Sequence, residues 1–213
     1  MLRHGDVAQP DLATGEVLVR TEHIGLNFAD IYRRRGEYHI EQARPYINGY
    51  EASGIVVDGD KSLIGRPVLF VDVPFANAEL VAVPQDKLIF LPEPVDLRLA
   101  ATIGLQGLTA DFLAHDFGMD NAGRKVFITG VSGGVGHLLA QMMIADGAMV
   151  HGSAGSPHKC RIALDMGVLE VVPSRETGWV GTAPFRAVFA LSPGARPAGP
   201  GIVRPGHRRL PPG

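Results

Sequence analysis

Four glycines fall at positions 130, 133, 134 and 136 within the stretch VFITGVSGGVGHLLAQMMIADG, residues 126 to 147. The chemistry open to them is the holding of an anion. The first N–H groups of a helix have no intrahelical partner, the helix dipole favours negative charge there, and glycine lets a phosphate approach the main chain. The elements that would place those N–H groups are legible on either side. Val126 to Ile128 is a short apolar run that reads as a buried strand, and Val135 to Ala145 reads as a helix closed by Gly147. The spacing is GxxGGxG rather than the common GxGxxG, so the turn alone leaves two readings open: a pyrophosphate site, or a glycine-rich turn without a ligand.

The following residues extend the pattern. AMVHGSAGS reads as a second strand, SPHKCRIALDMG as a helix with Ser156 as N-cap, Pro157 at N1 and Gly167 past its end, and LEVV as a third strand. Strand, helix, strand, helix, strand is the parallel half-module of a Rossmann-like fold, which binds one mononucleotide. Upstream, LRLAATIGLQGLTADFLAHDFG has helical periodicity with Gly118 as its stop, so a partial Rossmann-like α/β domain is expected over residues 96–191. Residues 16 to 92 carry instead the short strands EVLVRTEHIG, ASGIVV, RPVLFV, AELVAVP and KLIFLP, separated by turn residues, which predicts an antiparallel, barrel-like β domain over 1–95. From 177 to 213 there is no Asp, Glu or Lys, and the segment is crowded with Pro, Gly, Ala and Arg. Only RAVFAL keeps a strand pattern, and residues 192–213 are expected to be a disordered tail.

Composition narrows the partners. A net charge of −2 and a pI near 6.4 give no basic field for nucleic acid or anionic lipid, so a small-molecule partner is expected. Cys160 is the only cysteine, which excludes an intrachain disulfide and a four-cysteine zinc site and fits a reducing compartment, the cytoplasm. No apolar run reaches the roughly 18 residues of a membrane span, and the first residues lack the apolar core of a signal peptide. The eight histidines form no HExxH pair, and His23, His115 and His137 read as ordinary surface or core residues.

The end of the second strand speaks to cofactor choice. A reader of NAD places an Asp or Glu roughly 20 residues past the glycine turn, where it binds the ribose 2′-hydroxyl and repels a 2′-phosphate. VHGSAGSPHK has no acid, while Ser153 and Ser156 can donate hydrogen bonds and Lys159 supplies positive charge. NADPH is therefore expected over NADH. Ser156 serves as an N-cap on either reading, and a solvated surface lysine is the alternative for Lys159.

With these elements in place, the chain resembles the zinc-independent quinone oxidoreductase (zeta-crystallin-like) branch of the medium-chain dehydrogenase/reductase superfamily. IGLNFADIYRRRGEY, NGYEASGIV, FANAELVAVPQDKLIFLP, AATIGLQGLTA and VSGGVGHLLAQMMIADGAMVHGSAGSPHK occur in the family's order, over about residues 15 to 181. The resemblance implies a GroES-like β domain joined to a Rossmann domain, with the nicotinamide between them and GGVG as the usual phosphate turn. It implies hydride transfer from NADPH to a quinone or an α,β-unsaturated carbonyl, and a homodimer as a possible assembly. Zinc-dependent relatives use a cysteine after the first strand and the histidine of a GHE motif; here those stretches are GLNFAD and Gly49–Tyr50–Glu51, so no zinc chemistry is expected.

By motif match, Asn27 and Asp30 resemble residues on the nicotinamide side of the cleft, and Tyr32 and Tyr38 resemble the tyrosines that face the substrate. Thr109, Gly133, Gly134, Val135 and Gly136 match the cofactor-binding stretch. Each first-domain candidate has a simpler alternative: Asn27 as a turn at the strand end, Asp30 as a cap of the IYRRR helix, the tyrosines as ordinary wall. A tyrosine often follows the family's third strand; Ser174 stands there, and Arg175 is the expected substitute in cofactor binding. Family members also run on beyond the matched region, so the resemblance implies a C-terminus that is truncated or shifted in frame, and an inactive fragment is the alternative to an active enzyme.

Overall fold

In the computed structural model, residues 3–39, 46–116 and 120–174 are described, together with the strands at 187–190 and 202–203. The chain divides into two compact units, Met1–Leu105 and Gln106–Gly213.

The first unit holds β1 (Glu16–Ile24), α1 (Phe28–Arg35), β2 (Glu51–Asp58), β3 (Pro67–Val71), β4 (Leu80–Pro84) and β5 (Leu88–Phe90). The strands form one sheet in the order β4-β1-β2-β3-β5, and every pairing in it is antiparallel. Side chains alternate across a strand, so residues two apart share a face. Val17 with Val19, Val68 with Phe70, and Val81 with Val83 are such pairs, and all six are buried in one core with Ala52 and Val56. Burying each valine or phenylalanine contributes about 1.5–3 kcal/mol. The five strand segments expected from the sequence are the five observed.

α2 (Leu97–His115) runs through the divide between the units. The second unit continues with β6 (Lys125–Thr129), α3 (Gly134–Ala145), β7 (Met149–Ala154), α4 (Pro157–Asp165), β8 (Glu170–Pro173), β9 (Ala187–Ala190) and β10 (Ile202–Val203). Its sheet order is β10-β9-β6-β7-β8, and all pairings are parallel, Val126 standing opposite Val150. This is the arrangement that the strand–helix alternation demands, since parallel neighbours need a crossover between them. Val126, Ile128, Val150, Leu139, Met143, Leu113 and Phe189 are buried in its core. The helix starting at Ser156 forms as its residues require: the Ser156 hydroxyl accepts the Lys159 N–H at 3.3 Å, Pro157 follows, and Gly167 sits at φ 99° beyond the end. Within the tail expected to be disordered, Ile202 and Val203, a β-branched pair among Pro and Gly, pair in parallel with Val188 and Phe189. The rest of 192–213 lies outside the described residues, as does Gly118.

His115, at the last turn of α2, stands between two carboxylates: Nδ1 lies 2.7 Å from Asp111 and Nε2 3.1 Å from Asp146, which also accepts from Asn121 Nδ2 at 2.8 Å. The bond to Asp111 first, then Asp146, raises the His115 pKa above its ordinary value of 6.5. The raised group binds its proton more tightly in the folded state. Its stabilisation is therefore complete below pH 6.5 and is lost as pH climbs through the raised value. Thermal melts of wild type and His115→Gln are expected to differ more at pH 6 than at pH 9. A gap that widens with pH would contradict a stabilising pairing of His115 with Asp111 and Asp146.

No helix among the described residues is long and apolar enough to cross a membrane.

Candidate functional site

The turn after β6 is built by backbone. Gly130 takes φ 65°, its carbonyl accepts the Gly133 N–H at 2.8 Å, and the Val131 N–H bonds the Ser153 carbonyl at 3.0 Å, which ties the turn to the end of β7. Gly133 is the N-cap of α3 and has no side chain to satisfy the first turn. His137 is the first residue whose N–H reaches back into the helix, to Gly133 at 2.7 Å. The N–H groups of Gly134, Val135 and Gly136 therefore face out of the helix start, where an anion is favoured.

The glycines have separate steric reasons. A Cβ on buried Gly136 would run into the Gly130 carbonyl, so glycine is what lets α3 sit against the turn. A Cβ on exposed Gly134 would meet the Gln106 side chain, which reaches the helix start from α2. Thr109 lies three residues beyond Gln106, half-buried, on the same side of α2. On β7, a Cβ at Gly152 would come within 2.7 Å of Val131 Cβ and 2.8 Å of the Ile128 carbonyl, so β7 also needs glycine to approach the turn.

The expected 2′-phosphate residues are placed unequally. Ser153 is 2% exposed, and what it gives the turn is its backbone carbonyl. Ser156 is half-buried and uses its hydroxyl as the cap of α4; Lys159 is exposed one turn into that helix. The segment from β7 into the first turn of α4, MVHGSAGSPHK, contains no Asp or Glu. Arg175 lies outside the described residues.

In the first unit Asn27 and Asp30 stand at the start of α1, Tyr32 within it and Tyr38 just beyond its end. Asn27 is its N-cap: the Asp30 carboxylate accepts the Asn27 backbone N–H at 2.9 Å, and the Asn27 amide donates to Glu51 Oε2 at 2.7 Å. Asp30 thus performs the capping role that was its structural alternative, and it also pairs with Arg33 at 3.6 Å. Both Asn27 and Asp30 line a cavity of about 290 Å³ whose wall includes Leu26, Phe28, Ile31, Arg34, Asn48 and Asn77. Tyr32 and Tyr38 are not part of that wall. Tyr32 packs beside Phe28, with ring centroids 6.5 Å apart, and exposed Tyr38 lies 4.9 Å from the Arg33 guanidinium.

Two residues that sequence reasoning did not single out organise this region. Glu51 is 1% exposed; its carboxylate accepts the Leu105 N–H at 2.6 Å as well as the Asn27 amide, and Gly25 and Gly104 leave room for it. Burial raises its pKa, against the lowering by those two hydrogen bonds. The available signal was an acid placed at the head of the apolar run ASGIVV. Arg33 is buried with its guanidinium 3.4 Å from the centre of the Tyr50 ring, a cation–π stack. Tyr46, beside this group, has its hydroxyl pushed up to about 12, by burial first and by Tyr50 second. Nothing in the sequence distinguishes Arg33 from its exposed neighbours. Among the described residues, no three His, Cys, Asp or Glu side chains come together as a metal site.

Residues 13–93 match the alcohol dehydrogenase GroES-like domain. The chain is 31% identical to the quinone oxidoreductase of Mus musculus over 180 residues, which is 82% of this chain and 54% of that protein. Among solved structures, a mycobacterial protein complexed with NADPH superposes with a TM-score of 0.80 at 30% identity, over 88% of this chain and 61% of that one. Escherichia coli quinone oxidoreductase, also complexed with NADPH, gives 0.78 at 28% identity, over 87% and 60%. The chain spans about half the length of the curated relatives it matches. An antiparallel GroES-like half, a parallel α/β half with the GGVG turn, and similarity extending across both halves place this chain in the quinone oxidoreductase branch of the medium-chain dehydrogenase/reductase superfamily.

Proposed function

We propose that the chain is a metal-free, NADPH-dependent oxidoreductase that passes hydride to a quinone or an α,β-unsaturated carbonyl. In this reading residues 1–95 serve the substrate and residues 96–191 hold the dinucleotide. The observation that carries it is the joining of two features in the second unit: outward N–H groups at the start of α3, and a stretch from the end of β7 into the first turn of α4 that carries Lys159 and no Asp or Glu. NADPH, when bound, supplies the hydride. The work left to this chain is binding and orientation. Gly134, Val135 and Gly136 receive the pyrophosphate, Gln106 and Thr109 flank it, and Ser156 with Lys159 takes the 2′-phosphate. Asn27 and the cavity beside it seat the substrate, and Tyr32 and Tyr38, on and just after α1 but outside the cavity lining, face it from the solvent side.

Zinc does not fit the first unit. The position of the family's histidine ligand is Tyr50, and a guanidinium already lies on its ring, so a second cation there would be repelled. The single cysteine suits a reducing compartment, and we assign the cytoplasm.

The cofactor half is tested by fluorescence titration with NADPH and NADH. A charge-assisted contact to the extra phosphate corresponds to roughly a tenfold or greater preference for NADPH. Lys159→Ala is expected to remove most of that preference and to leave NADH affinity unchanged. Equal affinities in wild type, or a preference untouched by the substitution, would refute the 2′-phosphate role.

A further inference from the structure

We infer that the cavity beside α1 selects substrates that carry a carboxylate, and that Arg34 is the residue that reads it; as a statement about substrate class this rests on the proposed oxidoreductase function. The inference comes from which charges in the cavity are already used. Asp30 is committed twice, to the Asn27 backbone N–H at 2.9 Å and to Arg33 at 3.6 Å. Arg33 is buried between that carboxylate and the Tyr50 ring. Glu51, behind Asn27, is held by the Asn27 amide and the Leu105 N–H. Arg34 lines the same cavity, is exposed, and has no carboxylate of a described residue within ion-pair distance. It is the charged group of the wall left for a ligand.

The helix also sets a spacing. Asn27, Ile31 and Arg34 stand at i, i+4 and i+7, so they share one side of α1. At 1.5 Å per residue, Arg34 lies about 10 Å along the axis from Asn27. Between the two, Phe28 and Ile31 are apolar. The stripe therefore runs polar, apolar, cationic. Its complement is a molecule with a carbonyl at one end, a flat apolar middle and a carboxylate at the other. Arg, rather than Lys, matches that last group bidentately.

The stripe is tested on redox-inert ligands, so that binding does not depend on turnover. 4-Phenylbutyrate and its neutral isostere 4-phenylbutyramide are titrated into the full chain at low salt by calorimetry. Wild type is expected to bind the carboxylate roughly tenfold or more tightly than the amide. Arg34→Gln is expected to abolish the preference and Arg34→Lys to keep part of it, while Arg35→Gln, a change at an exposed neighbour, leaves it intact. Arg34→Lys keeps the positive charge in the last turn of α1, so a role confined to the helix dipole predicts full retention there. Absence of the preference in wild type, full retention in Arg34→Lys, or persistence in Arg34→Gln would overturn the inference. A chain that shows the Arg34-dependent preference yet fails to bind NADPH keeps this property of the cavity and loses the oxidoreductase reading. A chain that binds NADPH and reduces neutral quinones without the preference does the reverse.

Discussion

Gly136→Val is expected to abolish NADPH binding and to destabilise the chain by about 2–3 kcal/mol, the upper range for forced overpacking. The first atom a side chain at 136 would meet is the Gly130 carbonyl oxygen, with the Gly130 carbonyl carbon and Val131 Cα at 3.0 Å behind it. All three are backbone and cannot rotate away. The same carbonyl accepts the Gly133 N–H that closes the turn, so moving α3 outward also opens the turn that presents the anion-binding amides. Cofactor affinity should fall at least a hundredfold, because displacing the helix start by about 1 Å disturbs several N–H groups at once. Gly155→Ala is the matched control: nothing lies within 4 Å of a Cβ there, and both affinity and stability should hold. Fluorescence titration and urea denaturation read the two effects separately. Wild-type affinity in Gly136→Val would show that the cofactor is not held at this turn.

The second large effect belongs to Glu51. Its alanine variant should lose about 3 kcal/mol, since it removes the acceptor of the Leu105 N–H and of the Asn27 amide and leaves a buried space. Glu51→Gln keeps the volume and should cost far less. The two variants also separate by pH. Burial raises the Glu51 pKa, so the folded state binds this proton more tightly than the unfolded chain does. Ionisation therefore erodes stability as pH rises from the ordinary value of 4.5 through the raised one, and the loss is constant above that. The stability of Glu51→Gln relative to wild type should improve with pH across that window and then level. Urea midpoints from pH 4 to 8 measure it; a relative stability that worsens with pH would mean that the hydrogen bonds, not burial, govern the carboxylate.

Local pattern carried much of the fold. Alternating valines and turn residues announced each strand of the first sheet, and Ser156, Pro157 and Gly167 announced both ends of α4. These are decided by neighbours in sequence. Glu51 and Arg33 were not legible in the same way, because their roles depend on residues far along the chain: Glu51 meets Leu105, 54 positions away, and Arg33 meets Tyr50. Asp30 was legible as the cap of α1, and the structure uses it so; that it also lines the cavity beside α1 depends on residues such as Asn48 and Asn77 that are distant in sequence. Ser153 shows the limit of reading a strand end from residue type alone. Ser153, expected from its type to donate to a phosphate, is buried, and the contact it is seen to give the turn comes from its backbone carbonyl.

The most direct measurement of the proposed reaction follows the hydride itself. The purified chain, treated with EDTA, is incubated with (4R)- and (4S)-deuterated NADPH and an enone such as 1-octen-3-one, and the product is analysed by mass spectrometry. The expected result is one deuterium on the β-carbon of the saturated ketone, from one of the two labelled cofactors only, at a rate that the chelator leaves unchanged. Saturated ketone without deuterium from either cofactor, or a reaction that stops on chelation and returns with zinc, would contradict metal-free hydride transfer by this protein.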